Sequence, residues 1–319
     1  MNRRSCLERL GGAVGALLGV GSTASEAGAR PSGTSPGRRV QSSLGLQLFT
    51  VRELLQEDVG GTLAGVAALG YSEVEMFGLG GNAFVADPFF GATAEGFRRI
   101  LSQHGLALSC TQISDQTEDV GPIADVARTL GIRYLIIGMP REFLSLTPAG
   151  PVVSEVEGEA QILALAKRLN RLGSLCRAEG MTLGYHNHHM EFALLGSARA
   201  YDLLLEKTDP ELVRMELDVG WARAGGVQPH DYLARYPGRF VSCHLKDFAP
   251  DRPLPSDSRA PIPDMSRMVA PGDGVVDFAK VLAEMDRQGI EHGFVECDLP
   301  DDAMEVAGRG IRYLRALRY

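Results

Sequence analysis

Residues 181–186 (MTLGYH), 212–218 (LVRMELD) and 240–245 (FVSCHL) decide the fold. Each is a short, largely apolar run, shorter than an ordinary helix and of strand length. Between them lie stretches with a helical period, 198–206 and 228–235. Strands joined through helices at this spacing pair in parallel, because a parallel connection needs a crossover of a dozen or more residues. Working outward, the alternation continues through the chain. Candidate strands fall at 44–49, 72–76, 106–112, 133–137 and 292–296, and helical stretches at 53–69, 93–103, 119–130, 155–179, 277–288 and 301–316. Gly70, Gly105, Gly131, Gly180 and Gly289 stand where a helix stops before the next strand, the usual place of a left-handed cap. Eight strands alternating with eight helices predict an α/β chain closed into a (β/α)₈ barrel. A doubly wound open sheet suits eight evenly spaced units less well. The Pro- and Asp-rich stretch 248–276 reads as a long loop after the seventh strand.

The chain has 319 residues, 45% hydrophobic and 23% charged, an ordinary globular composition. A single barrel takes ~250 residues, which leaves room for a leader. Arg3-Arg4, a glycine-diluted apolar stretch over 10–20 and Ala27-Gly28-Ala29 resemble a twin-arginine export signal with its cleavage site. The expected organisation is a signal peptide over 1–29, a flexible spacer over 30–43 and a barrel over 44–319, located in the periplasm or otherwise outside the cytoplasm. No apolar run reaches the ~18 residues of a membrane span. The net charge of −8 lacks the basic footprint of a nucleic-acid binder. The spacing of Cys110, Cys176, Cys243 and Cys297 fits neither a zinc motif nor a disulfide scaffold, so buried free thiols are expected.

Barrel enzymes carry their active sites at the C-terminal strand ends, and here those ends are polar on one parity. Strand residues alternate inside and outside. Met215 and Leu217 facing outward send Glu216 and Asp218 inward. Val241, Cys243 and Leu245 outward leave Ser242, His244 and Lys246 inside. Val295 outward leaves Phe294 and Glu296 inside. His186 and His188 share a parity, as do Glu73 and Glu75. Buried carboxylates and imidazoles are costly unless paired, hydrogen-bonded or ligating a metal. One such group alone reads as structural, but four ending four consecutive strands read as a site. His186, Asp218, His244 and Glu296 are therefore the candidate metal ligands. Mixed N/O ligation suits Mn²⁺ or Zn²⁺ first, with Fe²⁺ and Co²⁺ next, over an oxygen cage for Mg²⁺ or Ca²⁺; Mg²⁺ stays compatible. Lys246 is a candidate for proton transfer or for binding a sugar oxygen, or else an ion-pair partner of Glu216 or Asp218. Trp221 is a candidate platform for a sugar face, or else a plug in its loop.

The segments Gln47-Leu48-Phe49-Thr50-Val51-Arg52, Tyr185-His186-Asn187-His188-His189-Met190-Glu191-Phe192, Glu216-Leu217-Asp218-Val219-Gly220-Trp221 and His244-Leu245-Lys246-Asp247 resemble the sugar phosphate isomerase/epimerase family, with its xylose isomerase-like TIM barrel. Pro271-Gly272-Asp273-Gly274, Val276-Asp277-Phe278 and Val295-Glu296-Cys297-Asp298 continue the match in order, over roughly 44–317. The resemblance implies one divalent metal held from strands 5 to 8, which falls on His186, Asp218, His244 and Glu296. It implies a carbohydrate substrate and proton transfer next to a carbonyl, with Glu296, His188 and Lys246 as catalytic candidates and Gln47, Glu75 and Trp221 as substrate contacts. The sequence departs from the family at strand 5, where His186 replaces a glutamate. This departure and the leader together resemble a subset acting on 3-keto-glycosides. The expected function is a metal-dependent sugar isomerase or epimerase. The alternatives are a 3-keto-glycoside lyase or hydrolase and a non-catalytic carbohydrate-binding protein; an oligomer is compatible with any of them. A fourth, a DNA-repair endonuclease of related fold, is disfavoured by the acidic charge and the leader.

Overall fold

A computed structural model describes residues 40–81, 87–147, 150–153, 156–250 and 265–319; the expected signal peptide lies outside them. Eight parallel strands form the wall: β1 (Gly45–Gln47), β2 (Glu73–Leu79), β3 (Ala107–Ile113), β4 (Tyr134–Ile137), β5 (Thr182–His186), β6 (Val213–Asp218), β7 (Phe240–Leu245) and β8 (His292–Val295). Each pairs with its sequence neighbour, and β1 pairs with both β2 and β8, so the barrel closes. The five glycines expected to end helices all have positive φ. Among the described residues no helix is long and apolar enough to cross a membrane.

The outward parity residues Met215, Leu217, Cys243, Leu245 and Val295 lie in the core between strands and helices, with Leu135, Ile137, Leu183 and Val213. Burying a side chain of this kind stabilises the fold by about 1.5–3 kcal/mol. Inside the barrel, Cys110, Ile136 and Phe294 form a separate apolar plug. Gly45 makes that plug possible. It lies opposite Phe294 in register, and a Cβ there would run into the Phe294 ring. Below the plug, His292 Nδ1 meets Glu73 at 3.0 Å. Among the described residues, Cys110, Cys176, Cys243 and Cys297 are buried and free.

Local chemistry explains where the structure departs from expectation. The first strand ends at Gln47, not 49, because the Gln47 side chain accepts the Phe49 N–H at 3.1 Å and folds Leu48–Val51 into a 3₁₀ turn. The helix expected over 53–69 is two helices, Arg52–Glu57 and Val59–Ala68, the second capped by the Asp58 side chain on the Gly61 N–H. A short helix that periodicity missed, Val219–Ala224, follows β6. The end of the expected spacer belongs to the folded body. Val40–Ser43 form a 3₁₀ turn, Val40 is fully buried, and its N–H donates to Asp286 Oδ1 at 2.8 Å.

Two described segments of the loop after β7 are tied together. Asp247–Phe248 pairs antiparallel with Met268–Val269. The Asp247 carboxylate accepts four backbone N–H groups at 3.0 Å each, those of Phe248 and Val276 on Oδ1 and of Gly272 and Gly274 on Oδ2. The Pro271–Gly274 turn is thereby docked beside the barrel mouth.

Candidate active site

Asp218 shows how the fold builds the site. It ends β6 and caps the helix Val219–Ala224, its Oδ1 accepting the Trp221 N–H at 2.7 Å. The cap fixes the carboxylate and leaves Oδ2 turned toward the histidines, 3.8 Å from His186 Nε2 and 4.0 Å from His244 Nδ1. Asn187 ties β5 to β6. Its Oδ1 accepts the Asp218 N–H at 3.1 Å and its Nδ2 donates to the Asp218 carbonyl at 3.3 Å. Gly220 lets the helix lie against β7, where a Cβ would meet Lys246 Cβ, Cγ and main-chain O at 2.9 Å.

The polar groups form two floors. On the upper floor, His186, Asp218 and His244 each offer a ligand atom within 4.8 Å of one another. Glu296 joins them through His244, with Oε2 2.7 Å from Nδ1. On the lower floor, Glu75, Glu216 and His244 make a second such group. There His244 Nε2 meets Glu75 Oε2 at 2.5 Å and Glu216 Oε1 at 3.1 Å. Glu216 Oε1 also meets His186 Nδ1 at 3.2 Å, and Glu216 Oε2 accepts the Ser242 hydroxyl at 2.6 Å.

Lys246 is buried at the upper rim. Its Nζ lies 2.8 Å from Asp298, 2.9 Å from Glu296 and 3.3 Å from Asp218, and 5.0 Å above the Trp221 ring. The sequence left Glu216 or Asp218 open as its partner; Asp218, Glu296 and Asp298 take the ammonium, while Glu216 faces the imidazoles. Burial opposes the ammonium, but the Asp218, Asp298 and Glu296 carboxylates hold its pKa well above the ordinary value. Burial likewise opposes a charged His244, and the carboxylates of Glu216, Glu296 and Glu75 override it. Glu75 goes the other way, pushed up to about 8 by burial and then by the charge of Glu216. Burial holds His188 well below the usual histidine range, and the nearby Lys246 ammonium adds to the effect. It is thus neutral, and its Nδ1 has no hydrogen-bond partner among the described residues.

Three expected substrate contacts lie deeper than the sequence suggested. Trp221 is 2% exposed, enclosed by His188, His189 and Phe248 at ring distances of 5.5, 5.5 and 5.3 Å. It is a plug more than an open platform, although its Nε1 has no partner among the described residues. Glu75 spends Oε2 on His244 beneath the mouth. Gln47, opposite Glu75 in register, uses Oε1 as a cap and keeps Nε2 unpaired. Sequence reading missed the contacts of Glu216 with both imidazoles, the bridge of Asn187 to Asp218 and the pairing of Asp298 with Lys246. The inward parity of Glu216 was the available signal. A cleft of about 530 Å³ opens beside the rim between Thr50–Leu54 and Leu299–Ala303.

The donor set fits a divalent cation. Asp218 Oδ2 is a fully buried carboxylate oxygen with no hydrogen-bond partner among the described residues; the Lys246 ammonium lies 3.3 Å from it on one side and the two imidazoles face it on the other. The imidazole nitrogens of His186 and His244 and a carboxylate oxygen of Asp218 lie within 4.8 Å of one another, and such mixed N/O donors suit a borderline ion.

The model of the xylose isomerase-like TIM barrel family matches residues 63–317. The chain belongs to that family. It is 28% identical over 248 residues to an inosose dehydratase of Geobacillus kaustophilus, covering 71% of this chain and 76% of that one. It is 32% identical over 177 residues to an inosose dehydratase of Geobacillus thermodenitrificans, covering 52% and 56%. Among solved structures, a sugar phosphate isomerase/epimerase of Parabacteroides distasonis superposes with a TM-score of 0.67 at 23% identity, covering 86% of this chain and 98% of that one. The IOLI protein with a bound zinc atom superposes with a TM-score of 0.61 at 14% identity, covering 86% and 95%. These two establish likeness of fold. The named activities of the relatives and the composition of the site point to an enzyme.

Proposed function

We propose that this chain is a divalent-metal-dependent lyase acting on a keto-sugar or keto-cyclitol. It removes the proton beside the keto group and expels the oxygen substituent one carbon further on. The sequence placed isomerisation first; the dehydratase relatives favour elimination, since water loss and glycosidic-oxygen loss from a 3-keto-glycoside share this electron flow. The observation that carries the reading is the charged Lys246 set 2.9 Å from Glu296 at the rim of the two-histidine, two-carboxylate cluster.

His186, Asp218, His244 and Glu296 would hold the ion, with Zn²⁺ or Mn²⁺ the best match to the donors. When bound, a divalent ion supplies Lewis-acid polarisation of the substrate carbonyl. His188, neutral and with Nδ1 unpaired, accepts the proton beside the keto group. Lys246 Nζ donates toward the departing oxygen, and Glu296 Oε2 holds that ammonium in place. Gln47 Nε2 and Trp221 Nε1 offer hydrogen bonds to substrate oxygens.

The test is proton NMR in D₂O of the metal-loaded full chain with a 3-keto-glucoside and with a keto-inositol. Loss of the proton beside the keto group, together with release of aglycone or of a dehydrated product, is expected, and chelator should abolish both. Glu296→Gln is expected to stop turnover and leave the circular dichroism spectrum unchanged. Deuterium uptake or an isomeric sugar with the oxygen substituent retained would replace elimination by isomerisation.

Export is a second part of the proposal, resting on Arg3-Arg4 and the residues that follow. A reporter fused behind residues 1–43 should reach the periplasm of a host with a twin-arginine translocase. Replacing both arginines by lysine should retain it; unchanged export would remove this route.

A further inference from the structure

We infer that Glu216 is a positioning residue that sets His186 and His244 in opposite tautomers, so that one presents Nε2 and the other Nδ1 to the ion. The inference rests on reading His186, Asp218 and His244 as ligands, and deepens it. A carboxylate oxygen accepts hydrogen bonds, so an imidazole nitrogen facing it bears the proton and leaves the other nitrogen's lone pair free. Glu216 faces both rings through the same oxygen. Oε1 lies 3.2 Å from His186 Nδ1 and 3.1 Å from His244 Nε2. Glu75 Oε2 stands 2.5 Å from the same His244 nitrogen, a second carboxylate on that side. The Ser242 hydroxyl, 2.6 Å from Glu216 Oε2, fixes the other end of the carboxylate.

The other two nitrogens, His186 Nε2 and His244 Nδ1, face the carboxylates read as ligands. Both face Asp218 Oδ2, at 3.8 and 4.0 Å, and His244 Nδ1 also meets Glu296 Oε2 at 2.7 Å, a contact that an ion held by both residues would replace. One residue beneath the cluster thus aims both imidazoles upward, though the rings present different nitrogens. Their centroids are 4.5 Å apart at an interplanar angle of 64°, so the rings are not related by a simple translation. The arrangement explains why a fully buried glutamate lies under the site. Removing an orienting partner of a metal-bound histidine typically weakens metal binding about 10–100-fold.

The experiment loads the ¹⁵N-histidine full chain with ¹¹³Cd²⁺ and reads ¹⁵N–¹¹³Cd couplings, which identify the ligating nitrogens directly. One coupled Nε2 and one coupled Nδ1 are expected. Two coupled nitrogens of the same type would overturn the inference and leave the ligand set standing. Absence of binding by Cd²⁺, Zn²⁺ and Mn²⁺ alike would overturn both. In parallel, Zn²⁺ affinity is measured by chelator competition. Glu216→Gln, whose amide places a donor where an acceptor was, should bind 10–100-fold more weakly. Ser242→Ala, which keeps both imidazole contacts, should lose much less. Glu216→Gln binding within about threefold of wild type would refute the orienting role. Should that variant not fold, the coupling pattern of the wild-type chain decides the matter.

Discussion

Replacing Asp247 by asparagine tests how the mouth of the barrel is held. Each carboxylate oxygen accepts two backbone N–H groups at 3.0 Å, from Phe248 and Val276 on one side and from Gly272 and Gly274 on the other. Asparagine keeps one oxygen and turns an amide NH₂ toward the remaining pair of donors, whichever way it flips. Two hydrogen bonds to a charged acceptor are lost, at about 1.5–3 kcal/mol each, so the expected destabilisation is about 3–6 kcal/mol. For a domain of this size about 2–4 °C accompany each kcal/mol, which puts the fall in melting temperature on the order of 10 °C. Thermal unfolding at pH 7.5 followed by circular dichroism reads the fall. Hydrogen exchange at the Gly272 and Gly274 amides should accelerate in the same variant. A melting temperature within about 2 °C of wild type, with unchanged exchange, would refute the claim that this carboxylate pins the turn.

Gly220→Ala should destabilise the fold by about 1–3 kcal/mol through overpacking against Lys246, measured by urea unfolding, with a loss of turnover greater than the loss of stability explains. Glu191 gives a pH signature. Burial raises its pKa to about 7, against the Tyr185 hydroxyl and the His188 N–H, which bind its charged form. A carboxyl that binds its proton more tightly folded than unfolded contributes stability below its unfolded pKa and loses that contribution as pH rises through the folded value. Wild-type stability should therefore decline relative to Glu191→Gln between about pH 5 and pH 8; parallel unfolding curves across that range would refute it.

The barrel was legible because its strands obey two periodic rules. Outward residues such as Met215, Leu217 and Leu245 are apolar, the inward ones near the strand ends are polar, and five helices are followed by a glycine of positive φ. Parity names the inward residues but carries no depth. Glu216 and Asp218 share a parity, yet one lies under the imidazoles and the other beside them. Their separation depends on the stagger between neighbouring strands, including the register shift between Met215 and Glu216 against β7. Glu75 was placed at the mouth for the same reason and lies beneath His244. Asp298 sits beyond the last β8 residue, where alternation no longer applies, and Asn187 acts through its amide from the opposite parity. The helix after Asp218 is too short for a period to register. The family resemblance pointed to isomerisation because its motifs describe the shared frame, and the reaction is chosen by groups around that frame.

The plug of Cys110, Ile136 and Phe294 closes the barrel beneath the carboxylate floor. Among the described residues, that leaves the strand ends as the doorway to the cluster. If the proposed reaction holds, an ion on Asp218 and His244 would be reached only past the rim residues Lys246 and Glu296, and a bound substrate there would slow its exchange. A chelator added during steady state should then act more slowly than one added to the substrate-free protein.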